Sequence, residues 1–275
     1  MEAWMILLPA FALSALMILT HTYLGLHVLA RGIIFVDLAL AQVAALGVSI
    51  AFLLGQEAHG VMAQLYAFAT TLVAAAGFAK LRQLPGKTTR EVTIGCVYVV
   101  ATALSIVVLS RSSQGMEELK GLFNGHILWV RWSEIAFVAV IYGLLSILHL
   151  CYRRRFYLLS FDESESAPVG YFWEFLFFAS FAVVITLAVN LAGVLLVFAF
   201  LIIPAFSASL LSQSLRNQLL IGWCLGLSGS AVGLWLSFVA DLPTGATVVA
   251  VMGGLPVIAI AVKYLLHGRG CLASS

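Results

Sequence analysis

The chain has 275 residues, of which 63% are hydrophobic and only 9% charged, against about 45–50% apolar and 25% charged in an ordinary soluble domain. So few polar side chains cannot clothe a water-facing surface of this size, which excludes the soluble classes and makes lipid the main solvent. The formal net charge of +2 carries no nucleic-acid signature, because the basic residues sit in short clusters between apolar runs.

A helix rises about 1.5 Å per residue and needs about 20 apolar residues to cross the hydrocarbon. Runs that meet this lie at 4–29, 33–55, 61–82, 92–110, 132–151, 172–190, 193–211, 218–239 and 245–266. The opening MEAWMILLPAF lacks the basic stretch of a cleavable signal, so the first run is expected to be a retained span. The pair at 172–211 has only Asn190, Leu191 and Ala192 to turn on, and Pro204 interrupts its second member. Residues 193–203 are therefore expected to form a short or re-entrant helix, giving eight firm spans and one partial one. The predicted fold is all-α: a polytopic membrane protein of about eight to nine helices, in a single transmembrane domain over 1–275.

Basic residues orient the spans. With the N-terminus outside and every run crossing, only Arg111, Lys120 and Arg131 of the 14 basic residues fall outside, so N-out, C-in is predicted. No insertion is long enough for an ATPase, receptor or catalytic domain. The longest polar stretches are 111–131 outside and 152–170 inside, the second holding RRR followed by FDESESAPVG, and any soluble partner is expected there. Gly222, Gly226 and Ser230 share one helix face, and Gly229 and Gly233 form a second small-residue pair. Such faces allow close backbone approach, either inside the chain or against another copy. The four cysteines (Cys96, Cys151, Cys224, Cys271) show no metal-ligand spacing and read as buried or cytoplasmic thiols.

Ionisable groups at membrane depth cost about 2.5–3.5 kcal/mol on insertion scales unless paired or wetted. Asp37, in GIIFVDLALAQVAALG, lies six residues past Arg31, hence about 9 Å from that end of its span, with Gln42 about 7–8 Å deeper. His21, on the preceding span, lies about 14 Å from its cytoplasmic end. The tight turn between the two spans predicts antiparallel neighbours, in which His21, Asp37 and Gln42 fall in one layer. Imidazole, carboxylate and amide oxygen suit a transient site for a divalent transition ion. The competing reading pairs Asp37 with Arg31 or a neighbouring helix and gives His21 a carbonyl partner. Asn190 is expected to cap or bond a broken helix. Asp241, in the outside turn ADLPTGAT, is expected to cap the helix that begins near Pro243. His59 and His126 read as surface histidines, and His27, His149 and His267 receive no role.

Several segments in order resemble the permease family of ABC importers for zinc, manganese and iron. These are LARGIIFVDLALAQVAALGVSIAFLLG at the second span, EVTIGCVYVVATALSIVVL at the fourth, LFNGHILWV, NLAGVLLVFAFLIIPAFSASLL and ADLPTGATVV. The resemblance covers nearly the whole chain. It implies a type II-like importer permease in the inner membrane and no enzymatic activity of its own. Two permease copies would form the pathway, two cytoplasmic ATPase subunits would hydrolyse ATP, and an external metal-binding protein would deliver the ion. Zinc or manganese is the expected cargo, with no permanently bound cofactor. FDESESAPVG occupies the place of the family's ATPase-coupling segment, which assigns coupling to Phe161, Asp162, Glu163, Glu165 and Gly170, within about residues 160–171. The IIPA string, with its helix break at Pro204, should end at the same surface.

Two departures stand out. Many relatives carry an acid and a histidine four apart on the second span. Here, aligned on Arg31 and Gly47, Gln42 stands at the histidine position, Leu38 at the acid position, and Asp37 is displaced by one. Ala167 replaces the coupling segment's usual arginine. Two other readings compete. A permease for an iron-siderophore or haem-type chelate would usually have about ten spans and a longer chain. An intramembrane serine protease is suggested on paper by GLSG at 226–229, but Ser228 has only His267 after it, at the far end of the last helix.

Overall fold

The computed structural model describes residues 2–57, 60–81, 84, 86–110, 125–161 and 170–272. In chain order these form α1 (Glu2–Arg31), α2 (Val36–Leu53), α3 (Val61–Phe78), α4 (Lys87–Leu109), a 3₁₀ turn (Ile127–Trp129), α5 (Trp132–Cys151), α6 (Arg153–Phe161), α7 (Tyr171–Ala192), α8 (Val194–Leu211), α9 (Leu215–Ala240) and α10 (Thr244–Leu272). Among the described residues nine helices, all but α6, are long and apolar enough to span a membrane. Hydrocarbon offers no partner for a bare peptide group, and the helix satisfies each one locally.

The partial span expected at 193–203 is instead a full one. α8 runs unbroken for 18 residues through Pro204, about 27 Å of rise. Proline removes one backbone donor, a loss local to one turn, and packed neighbours support the helix across it. The turn before α8 also falls later than expected. α7 continues through Asn190, whose Nδ2 donates to the Thr186 carbonyl at 3.0 Å. The break between the two helices is confined to Gly193, at φ 79°. Gly125 packs so closely on Ala192 and Gly193 that a side chain would collide with their backbone, and the His126 N–H donates to the Leu191 carbonyl at 3.0 Å.

The chain divides into two compact units. One comprises residues 1–29, 127–136 and 195–275; the other comprises 30–126 and 137–194.

In the first unit α9 is a glycine-faced helix. A Cβ on Gly226 would meet Ile18 at 2.6 Å and Pro204 at 3.2 Å, while Gly222 faces Thr22 and the Pro204 carbonyl. One turn on, Gly229 faces Met252 and Leu255, and Gly233 lies so near Val248 that a Cβ would come within 2.7 Å of its Cα. Both small-residue faces read from the sequence are thus spent on packing inside the chain, against α1 and α8 and against α10. Trp223 Nε1 adds a bond to the Leu19 carbonyl at 3.0 Å. Gly25 makes the same kind of approach from α1, where a Cβ would run into the Leu201 carbonyl and Ala205. Asp241 closes α9 instead of opening α10. It adopts a left-handed conformation (φ 51°, ψ 47°), and its N–H returns to the Ser237 carbonyl. Asp tolerates that region better than most residues.

In the second unit α2 and α7 are the interior helices, each 67% buried over its apolar window against 22% for α4 and α5. Gly47 lets α2 lie directly on α3, where its Cβ would meet the Ala67 backbone. Ala44, Val48 and Ala51 interleave with Ala63 and Ala67. Thr70 Oγ1 donates to the Val43 carbonyl at 3.0 Å, Thr71 and Thr186 share a 3.2 Å hydroxyl bond, and Tyr142 donates to the Val184 carbonyl at 3.0 Å. Large apolar side chains such as Val73, Val99, Val107, Val140 and Leu144 stay exposed, as helices facing lipid require. Cys96, Cys151 and Cys224 are free and exposed, so a buried-thiol reading does not hold for them.

Gly25→Ala is expected to destabilise the protein by about 1–3 kcal/mol through overpacking, read as a lower thermal unfolding midpoint in detergent. Gly143→Ala, whose added methyl meets nothing within 4 Å, should leave the midpoint unchanged or raise it through better helix propensity.

Candidate functional site

The start of α2 is assembled from distant residues. α1 ends at Arg31, Gly32 turns the chain at φ 65°, and Phe35 stands at the N-cap of α2, where its side chain cannot accept a hydrogen bond. The acceptor comes from α4: Glu91 Oε1 takes the Phe35 N–H at 3.1 Å. Asp37 follows within the first turn. It is 1% exposed, and its Oδ1 meets no hydrogen-bond partner among the described residues. Gln42, five residues deeper on the same helix, is equally buried, and neither its Oε1 nor its Nε2 is partnered there. Burying an amide without partners costs on the order of 1–3 kcal/mol, and a carboxylate costs more.

Arg31 is committed elsewhere. Its Nη1 pairs with Glu174 Oε2 on α7 at 3.0 Å, with both side chains nearly enclosed. Its Nε donates to Ser160 on α6 at 3.1 Å, and its guanidinium lies 4.2 Å above the Phe177 ring. The pairing of Asp37 with Arg31 that the sequence left open therefore gives way to Arg31–Glu174. The pair fastens the end of α1 to α7 and to α6, the short helix that leads into the expected coupling segment. His149, to which the sequence gave no role, braces the same corner: its Nε2 bonds Ser180 at 2.9 Å, and its ring stacks on Phe156 at 4.0 Å.

His21 is fully buried, and its Nδ1 donates to the Met17 carbonyl at 2.9 Å. A carbonyl only accepts, so the proton sits on Nδ1 and Nε2 carries the ring's lone pair, the form in which imidazole ligates metals. His21 belongs to the first unit, Asp37 and Gln42 to the second. The first unit also buries Thr22, Ser207 and Ser230 with hydroxyls unpartnered among the described residues. Sequence reasoning missed these, because a serine or threonine in a spanning helix usually bonds its own preceding turn. Among the described residues no group of three or more His, Cys, Asp or Glu side chains comes together in a metal-holding arrangement.

The expected coupling segment is described only at its ends. Phe161 is the last residue of α6 and stacks on Tyr157 at 5.1 Å. Gly170 is the N-cap of α7, with the Trp173 N–H on its carbonyl at 3.0 Å. Asp162, Glu163 and Glu165 lie outside the described residues. Pro204 sits within α8 against α9, and Ser228, the paper nucleophile, is exposed and donates to the Leu225 carbonyl at 3.0 Å.

Nine apolar spans, a second helix carrying buried polar groups with open valences, and a short polar link between α6 and α7 define a multi-pass transport permease. The chain belongs to the ABC 3 transport family, whose model matches residues 3–263. It is accordingly a permease of the plasma membrane. The "Probable iron transport system membrane protein" of Haemophilus influenzae is 26% identical over 230 residues, 82% of this chain and 79% of that protein. The "Manganese transport system membrane protein MntC" of Listeria innocua is 26% identical over 231 residues, 83% of this chain and 80% of that protein. The fold matches a chain of PsaBC from Streptococcus pneumoniae, solved in complex with Fab, with a TM-score of 0.73 at 21% identity over 91% of this chain and 89% of that one.

Arg31→Met or Glu174→Met alone should each destabilise the protein by about 3–5 kcal/mol, because each strands a buried charge. The double substitution should recover most of that loss. Thermal midpoints of the purified variants, compared as a double-mutant cycle, measure the coupling.

Proposed function

We propose that this chain is the membrane permease of an ATP-driven importer for a divalent transition-metal ion, with manganese(II) the favoured cargo. The reading rests on α2: a carboxylate and an amide, both buried and both with unpartnered atoms, on the span that in many relatives carries an acid and a histidine. Carboxylate and amide oxygens suit manganese, whereas imidazole suits zinc and iron as well. Glutamine at the histidine position shifts the donor set toward oxygen and so toward manganese. The names of the Listeria and Haemophilus relatives, which refer to manganese and iron, are consistent with that order. Asp37 and Gln42 form the route's donors in this reading.

Two copies line the passage, two soluble ATPases bind from inside, and an external protein delivers the ion. The described ends of 161–170 are consistent with an ATPase-docking role. A rigid α6, tied to Arg31 through Ser160, is suited to carry nucleotide-driven motion toward the end of α1.

The test is uptake of radiolabelled manganese(II), zinc(II) and iron(II) by cells in which this transporter is the sole importer. Asp37→Asn and Gln42→Leu should each cut manganese uptake about tenfold or more, by analogy with losses seen when metal-site partners are removed. Gln42→His should move the preference toward zinc. Normal manganese uptake in both Asp37→Asn and Gln42→Leu removes α2 from the route. Purification without a bound ATPase, together with uptake that persists in ATP-depleted cells, removes the importer assignment.

A further inference from the structure

Glu91 enters the sequence reading only as the acid of EVTIG, and the structure sets it in the second span's surroundings. Its Oε1 serves the Phe35 N–H at 3.1 Å, so the first turn of α2 lies beside the early turns of α4. Its other oxygen, Oε2, is buried and unpartnered among the described residues. Asp37 stands two residues beyond Phe35, 1% exposed, with its own Oδ1 unpartnered. Both carboxyl groups therefore belong to the first turn of α2, Glu91 through the Phe35 N–H and Asp37 two residues further on.

A capping role accounts for part of this and no more. A cap needs one acceptor oxygen, which a neutral amide would supply as well. It explains neither the second Glu91 oxygen nor a second buried carboxylate beside it. Two like charges in a poorly solvated corner repel, and each alone is costly to bury. Of the cations near them, Arg31 is engaged by Glu174 and Ser160, Arg90 donates from its Nε to the Gly86 carbonyl at 3.3 Å, and the Lys87 side chain lies against Gly32. The N-termini of α2 and α4 contribute about half a positive charge each. A divalent cation passing between the carboxylates would neutralise both. With two protein ligands and water in the remaining positions, it would be held weakly enough to leave.

We infer that Glu91 is a second carboxylate of the ion route, which with Asp37 takes the cation from the deeper Gln42 and releases it on the side that the basic residues assign to the cytoplasm. The inference deepens the proposed function and rests on the same route. It adds a ligand from α4 and a direction, from the amide layer outward to a carboxylate exit. Nothing in the sequence pairs residues 37 and 91; the pairing appears once the cap on Phe35 is seen.

Glu91→Gln separates the two roles, because the amide oxygen still accepts the Phe35 N–H while the charge is gone. The full transporter, permease with its ATPase, is assayed in cells for radiolabelled manganese(II) uptake, and the purified permease in nanodiscs is titrated with manganese(II) and followed by electron paramagnetic resonance. Glu91→Gln is expected to lower the maximal uptake rate and the manganese affinity about tenfold, with its thermal midpoint unchanged, while Glu91→Asp retains most uptake. Wild-type uptake in Glu91→Gln, with Asp37→Asn still defective, makes Glu91 a cap only and overturns the inference while leaving the proposed route standing. A fall in the Glu91→Gln thermal midpoint that matches its loss of uptake also overturns it. If Asp37→Asn and Gln42→Leu both import manganese normally, the proposed route itself fails, whatever Glu91 does.

Discussion

A charge buried in a lipid-facing bundle is costly unless a partner offsets it, and this constraint sorts the polar residues of the protein into those engaged by an opposite charge and those that keep an open atom. Arg31 is of the first kind. Its guanidinium has a carboxylate, a hydroxyl and an aromatic face arranged around it, and these partners tie together the end of α1, the short α6 and the interior helix α7. Asp37 is of the second kind. It lies six residues away and is as deeply enclosed, yet one of its oxygens is left open. In the proposed route this contrast separates structural charge from charge that serves the cargo.

Close helix approach does the remaining structural work. Lipid tails give two apolar helices little reason to prefer each other, so association depends on how near the backbones come. α9 places Gly222 and Gly226 against α1 and α8, and Gly229 and Gly233 against α10. In the other unit, Gly47 seats α2 on α3. That second contact fixes the rotation of the helix that carries Asp37 and Gln42. A slip of one residue would turn both groups about 100° away.

The departure of α2 from the family's acid-and-histidine pattern acquires a chemical sense in this setting. An amide in place of an imidazole removes a nitrogen donor and supplies an oxygen. Glu91 adds a carboxylate from α4. In the proposed route the donor set is richer in oxygen, and the displacement of the acid by one position moves it toward the helix start, where Glu91 already accepts the Phe35 N–H.

Eight of the nine spans and the transporter class were legible in the chain itself, because transfer of a helix into hydrocarbon depends on a contiguous window of about 20 residues. The glycine faces of 222–233 were legible for the same reason: helical spacing is local. Pairing was not. Arg31 finds Glu174 143 positions away, and Phe35 finds Glu91 56 positions away, and no periodicity encodes which helix stands beside which. The unbroken course of α8 through Pro204 and the turn confined to Gly193 also required the folded packing, since a proline's effect depends on what supports the helix around it. Local composition therefore determined that the chain crosses the membrane many times. Only the tertiary arrangement decided which buried charges are spent on each other and which keep an open atom.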